Sequence, residues 1–206
     1  MAVPQRRARQ KAALREEILD AARTIVLRDG FDGLTMRKIA EAVEYSPGAI
    51  YLYFPSRDAI AHELCHQGFA ALLEALTPAA GAVDPRERLA DLGRAYVRFA
   101  LERPETYRLI FMEDAKFTDA GFADEPGEPG PGECALGLLV RAFAELKEQR
   151  RLPATADPHA LAEVFWTATH GIVSLKLICR DYPVTPTDEL LETMSRALLD
   201  GLLKTK

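Results

Sequence analysis

The chain has 206 residues, 48% of them hydrophobic and 28% charged, which suits one or two small globular domains with a real core. Its three cysteines, Cys65, Cys134 and Cys179, are scattered and form no Cys-x-x-Cys pair, which speaks against a disulfide framework and for reduced thiols. A polar, basic N-terminus and the lack of any long apolar run exclude a secretory leader and a membrane span, so a cytoplasmic protein is expected.

The net charge of −5 conceals an asymmetry. Arg6, Arg7, Arg9, Lys11 and Arg15 all precede the first acidic residue, so the rest of the chain carries all of the acidic excess. A basic arm on an acidic body can grip phosphates locally while the bulk stays soluble. A solubilising tail has the same composition. Its place directly before the motif below favours an extension that touches a DNA backbone or minor groove.

The first helix is expected from about Lys11 to Asp29, with Leu14, Ile18, Ala21, Ala22, Ile25 and Val26 on one face and Gly30 as its C′ stop. Phe31 and Leu34 then plug a small core. Thr35 caps a short helix with Ile39, Ala40 and Val43 inward. Ser46 caps another, with Pro47 at its first position and Ile50 and Phe54 inward. The second of these is too short to stand alone and must rest on the first. That is the arrangement of a helix-turn-helix, whose second helix enters a major groove.

The same residues carry a family resemblance. Phe31-Asp-Gly-Leu-Thr, Ile39-Ala40 and Ile50-Tyr51-Leu-Tyr53-Phe54-Pro-Ser-Arg57 resemble the DNA-binding domain of the tetracycline-repressor (TetR) family, over about Ile18 to Ile60. One position departs from the pattern: Glu44-Tyr45 stands where the family usually has Gly-Val. Glycine there would ease a left-handed backbone, so Glu44 implies strain or a different turn.

Side-chain chemistry divides the work. Gly48 and Ala49 let the helix N-terminus, with Pro47, approach bases closely, and Ala49 can touch a thymine methyl. Arg37 suits a bidentate contact to guanine. Thr35, Lys38, Ser46, Tyr53 and Arg57 suit phosphate oxygens, which position without reading sequence. Tyr51 fits either the groove wall or half-buried packing. The resemblance places DNA contacts at these matched positions.

A fourth helix is expected from Ser56 to about Leu76. It contains His62-Glu63-Leu64-Cys65-His66, a literal His-Glu-x-x-His that in a zinc hydrolase would supply two ligands and a general base. Phe69 and Leu72 stand where an extended metalloprotease motif needs Gly and His, and no stretch reads as a substrate-binding strand. Catalytic zinc is therefore a rival reading, and no metal or other cofactor is expected.

A Pro/Gly/Ala linker follows from Thr77 to Val83. Asp84-Pro85-Arg86-Glu87 opens a fifth helix to about Glu102, and Pro104 starts a short sixth, Glu105 to Glu113. The stretch from Thr118 to Glu133 interleaves Gly and Pro with acid, as a solvated connector or a lid. Three more helices are expected: about Glu133–Arg151, Asp157-capped to about Cys179, and Thr185-Pro186 to near Leu203. The fold class is all-α. An N-terminal three-helix helix-turn-helix DNA-binding head (1–56) precedes a helical ligand-binding and dimerisation body (57–206).

In the body, Leu161, Val164, Phe165, Ala168, Ile172 and Leu175 nearly encircle one helix, and Leu190, Leu191, Met194, Leu198 and Leu202 line the next. Such helices need burial on two sides, which a two-fold four-helix interface near 157–179 and 186–203 supplies. The resemblance implies the same homodimer. Trp166-Thr-Ala-Thr-His170-Gly171 further resembles the C-terminal signature of a TetR subclass. Phe69, Tyr96, Phe99, Tyr107, Phe111, Phe143, Phe165, Trp166 and His170 are candidates to line a site for a small apolar ligand, or form filled core. The expected function is a homodimeric regulator, a repressor of a palindromic double-stranded DNA operator released by that ligand. The alternatives are the zinc hydrolase and a constitutive DNA-binding dimer without a ligand.

Overall fold

The computed structural model describes residues 2–113, 128–179, 181–182 and 184–202. Its order is α1 (Ala2–Asp29), a 3-10 turn (Phe31–Gly33), α2 (Met36–Ala42), α3 (Pro47–Ile50), α4 (Arg57–Leu76) and a second 3-10 turn (Thr77–Gly81). Then follow α5 (Pro85–Glu102), α6 (Pro104–Phe111), α7 (Pro131–Glu148), α8 (Pro158–Ile178) and α9 (Thr187–Leu202). No β-strand forms among the described residues, and none of the described helices is long and apolar enough to cross a membrane.

Helix α1 starts nine residues before the expected Lys11, so the basic arm is helical. Alanine, arginine, glutamine and lysine dominate the segment and are strong helix formers, and Pro4 falls in the first turn, where its missing N–H is harmless. The expected linker after Leu76 is a 3-10 turn, with Thr77 Oγ1 donating to the Leu73 carbonyl at 2.7 Å. Most of the acidic Gly/Pro stretch lies outside the described residues; its end, Pro131, already begins α7 behind Gly130.

The chain packs as two units. The first holds residues up to Gly68 together with the segment from Arg108; the second holds Phe69–Tyr107 and the described chain from 128 onward. The expected division at 56/57 falls inside the first unit. Its core is built from Ile18, Leu19, Ala22 and Val26 of α1, Phe31 and Leu34 of the turn, Ile39, Ile50, Phe54 and, from α4, Ile60 and Leu64, all buried. The second unit buries Leu89, Leu92 and Phe99 of α5, Phe143 and Leu146 of α7, Phe165 and Val173 of α8, and Leu191 and Leu199 of α9. Gly93 lets α5 approach closely here. A Cβ at that position would meet Leu191 Cδ1 and Phe165 Cζ at 3.3 Å.

The turn between α2 and α3 explains Glu44. Its φ of 59° lies in the left-handed region. Tyr45 N–H donates to the Ala40 carbonyl (2.9 Å) and Glu44 N–H to that of Glu41 (3.3 Å). These are the two bonds of a Schellman cap, with glutamate at the position that favours glycine. Left-handed backbone costs an L-residue about 1–2 kcal/mol. Glu44→Gly is therefore expected to stabilise the protein by about 1 kcal/mol, a rise of roughly 2–4 °C in melting temperature. Glu44→Ala should bring no such gain. Equal gains from both, measured by thermal melts, would assign the effect to the carboxylate and not to the backbone.

Candidate functional site

The reading head is set by its caps. Thr35 accepts from Lys38 N–H (3.2 Å) and starts α2; Ser46 accepts from Ala49 N–H (3.3 Å) and starts α3. Both hydroxyls keep their own proton for an outside acceptor. Hydrogen bonds from Tyr51 to Pro47 and from Phe54 to Ile50 carry the helical path of α3 beyond its four residues. Ile50 and Phe54 anchor its inner side, and Ser46, Pro47, Gly48 and Tyr51 are exposed. Ala49 and Tyr53 are half-buried.

The cations of the head differ in what holds them. Arg37 is 81% exposed and makes a loose pair with Glu41 at 3.4 Å, so it is available. Lys38 is tied to Asp29 at 2.9 Å, and Arg28 binds the same carboxylate through Nε and Nη2 at 2.8 Å each. Arg28 and then Lys38 hold the Asp29 carboxyl well below the usual range. Arg57 points inward: its Nη1 donates to the carbonyls of Phe31 (3.2 Å) and Leu34 (3.5 Å), and its Nε to Asp58 (3.2 Å). The phosphate role expected of Arg57 thus competes with a clamp on the turn before α2. Arg15 is likewise engaged, paired with Glu63 at 2.8 Å and lying 4.8 Å over the Phe54 ring.

That pairing bears on the zinc motif. Glu63 also accepts from Gln67 at 3.2 Å, so the would-be general base is neutralised by a guanidinium. His62 is exposed and His66 half-buried. Cys65 is buried, its thiol directed at the Leu109 carbonyl. Among the described residues no three His, Cys, Asp or Glu side chains are grouped to hold a metal ion.

In the second unit, four of the candidate ligand residues meet in one polar cluster. Trp166 Nε1–H donates to Tyr96 Oη (3.2 Å). The Tyr96 and Tyr107 hydroxyls lie 3.1 Å apart and reach His170 Nδ1 at 3.1 and 2.6 Å. Tyr107 is the closer partner of Nδ1, so a chain of polar contacts runs from Trp166 through Tyr96 and Tyr107 to His170. One turn on, the buried Ser174 Oγ faces the Tyr107 hydroxyl. Burial raises the Tyr107 hydroxyl to about 12 despite nearby Tyr96 and Ser174, and lifts Tyr96 well above its ordinary value. Burial also lowers His170 below its ordinary 6.5.

The sign of that shift gives a test. A histidine with a depressed folded-state pKa contributes stability that is present above the unfolded value, near 6.5, and lost as pH falls below it. Wild type should therefore lose stability relative to His170→Gln on acidification below pH 6.5, until the lowered folded-state value is passed. Parallel denaturation curves for the two proteins from pH 7 to 5 would contradict it.

The other apolar candidates behave as core. Phe69, Phe99, Phe143 and Phe165 are buried, and Phe143 meets Phe165 edge-on at 6.3 Å. Phe111 is half-buried and belongs to the first unit. Two exposed residues of the head escaped the sequence reading, Tyr45 and Leu52. The signal for them is composition: nothing from Tyr45 to Ser56 is charged.

Comparison with known proteins agrees with this architecture. The family model for bacterial regulatory proteins of the tetR family matches residues 18–64, and that for the tetracyclin repressor-like C-terminal domain matches 89–198. An uncharacterized HTH-type transcriptional regulator of Haemophilus influenzae is 32% identical over 66 residues, 32% of this chain and 35% of that one. The chain thus spans about a third of that relative's length. It spans a quarter (25%) of the regulator YfiR of Bacillus subtilis, at 38% identity over 52 residues. Among solved structures, a protein with unknown function from Rhodococcus sp. RHA1 superposes with a TM-score of 0.73 at 27% identity, covering 93% of this chain and 96% of that one. The regulator FadR from Bacillus subtilis, in complex with stearoyl-CoA, superposes with a TM-score of 0.71 at 14% identity, over 91% and 98%. With its C-terminal match alone spanning more than half of its length, the chain belongs to the TetR family and is a transcriptional regulator with a DNA-binding helix-turn-helix.

Proposed function

We propose that this regulator acts in the cytoplasm as a homodimeric repressor of a two-fold symmetric DNA site and is released by a small, largely apolar ligand held in the body. The observation that carries the dimer is an uncovered apolar stripe on α8. Val164, Leu175 and Ile178 are 48%, 42% and 68% exposed, and with Leu161, Ala168 and Gly171 they recur every three or four residues, one face of a helix. Gly171 supports it. A Cβ there would meet nothing within 4 Å among the described residues, so no packing among them explains a glycine in mid-helix. On α9, half-buried Leu190, Met194 and Leu198 extend the stripe; the side chain of Leu202 lies outside the described residues. Two heads on one axis would read half-sites about 34–36 Å apart, which a single four-residue reading helix binds too weakly to do alone.

Thr35, Ser46, Pro47, Gly48, Ala49, Tyr51 and Tyr53 form the DNA-facing set, with Arg37 reading bases and Lys38 positioning. Arg37→Ala is expected to cost about 1–3 kcal/mol on the specific site and to relax base preference. Lys38→Ala should weaken all duplexes alike and flatten the salt dependence. Equal losses on specific and random DNA for Arg37→Ala would remove it from the reading role.

For the ligand, the cluster of Tyr96, Tyr107, Trp166 and His170 supplies polar handles inside an aromatic body. Trp166, His170 and Gly171 match the subclass signature by resemblance. The stearoyl-CoA bound by a regulator of the same fold makes that compound the first probe. Release requires that ligand and DNA prefer different conformations, and the coupling is reciprocal. Stearoyl-CoA affinity should therefore drop, on saturating operator duplex, by the same factor by which the ligand weakens the operator. Unchanged ligand affinity would sink the release mechanism; no ligand uptake would leave the constitutive dimer.

A further inference from the structure

The reading helix lacks the usual chemistry of a DNA-binding surface. From Tyr45 to Ser56 it has no charged side chain, yet Tyr45, Tyr51 and Leu52 are 49%, 54% and 77% exposed. Leu52 is the notable one. It follows α3 in a tight turn, its N–H donating to the Ala49 carbonyl at 3.2 Å. Two residues after fully buried Ile50, its side chain thus stands out into solvent on the surface that carries exposed Gly48 and Tyr51.

Gly48 is informative in turn. A Cβ there would meet only Ser46 Oγ, at an ordinary 3.9 Å. Glycine in a helix is less favourable than alanine by roughly 0.5–1 kcal/mol, and no contact among the described residues demands it. A bare backbone beside a projecting apolar side chain fits a surface that approaches closely and offers methyl groups. The major-groove edge of a T·A pair offers one, the thymine C5-methyl.

We infer that Leu52 is a specificity-determining residue that reads thymine methyl groups in the operator half-site. This rests on the family's helix-turn-helix entering DNA, and continuity with that interface is what selects a base edge as the occupant. The contact is apolar and releases no counterion, so it contributes affinity without contributing to the salt slope.

The test uses the full-length protein. A duplex is first recovered by selection from a random-sequence pool, then remade with deoxyuridine in place of thymidine, which removes only the methyl groups. Wild type should bind the uracil duplex about four-fold more weakly per contacted methyl, roughly fifteen-fold when both half-sites are touched. Leu52→Ala should weaken binding to the thymine duplex, discriminate less between the two, and keep the wild-type salt slope. Equal wild-type affinity for the two duplexes would overturn the inference and needs no variant, so it stands even if Leu52→Ala misfolds. Full discrimination retained by a folded Leu52→Ala would also overturn it. Recovery of no duplex at all would instead reject the DNA-binding reading on which it rests.

Discussion

Leu175→Arg is expected to yield a folded monomer that has lost most of its affinity for a two-half-site duplex. The side chain is 42% exposed in the protomer, so an arginine there can reach water and the fold should survive. In a two-fold interface the same substitution places two guanidiniums in an apolar seam, and burying such a charge costs several kcal/mol. Separating the heads turns an intramolecular second binding event into an intermolecular one, which is worth about 10²–10⁴ in affinity. Binding to an isolated half-site should be unaffected. Sedimentation and duplex binding on the same preparation decide the matter: a dimer of full affinity would put the interface elsewhere.

Phe143→Ala should cost about 3–5 kcal/mol of stability, the ordinary penalty for emptying a packed aromatic site. The ring is fully buried and rests edge-on against Phe165, itself 1% exposed, so little can collapse into the space. For a chain of this length that is a fall of roughly 6–20 °C in melting temperature. The experiment also separates the two readings of the aromatic body. A loss below about 1 kcal/mol would mean that the ring already borders an opening, whereas the full loss marks it as filled core.

Much of the architecture was legible because it is written in local rules. Thr35, Ser46 and Asp84 cap the helices they were expected to cap, and period-3.6 apolar residues fixed the core faces of the head. What was not legible depends on tertiary partners. Arg57 reads from sequence as a phosphate-binding cation, and only the fold brings the Phe31 and Leu34 carbonyls to it. Glu63 reads as a general base until Arg15, forty-eight residues earlier, is seen to neutralise it. The start of α1 was missed for another reason: a dense run of like charges reads as a solvated arm, although the alanine, glutamine and arginine that dominate it favour a helix. The cluster at His170 lies between. Its members were named as aromatics around a ligand, but the hydrogen-bond order that joins them follows from α5, α6 and α8 converging.

Glutamate and glycine codons differ at their middle base, GAR against GGR, so a single transition at codon 44 exchanges one for the other. The left-handed turn before the reading helix is thus one point mutation from relaxation. In a random-mutagenesis screen for variants that survive heating, Glu44→Gly should recur early and independently. A screen that also demands DNA binding would show at once whether the Glu44 carboxylate is tolerated strain or part of the regulator's tuning.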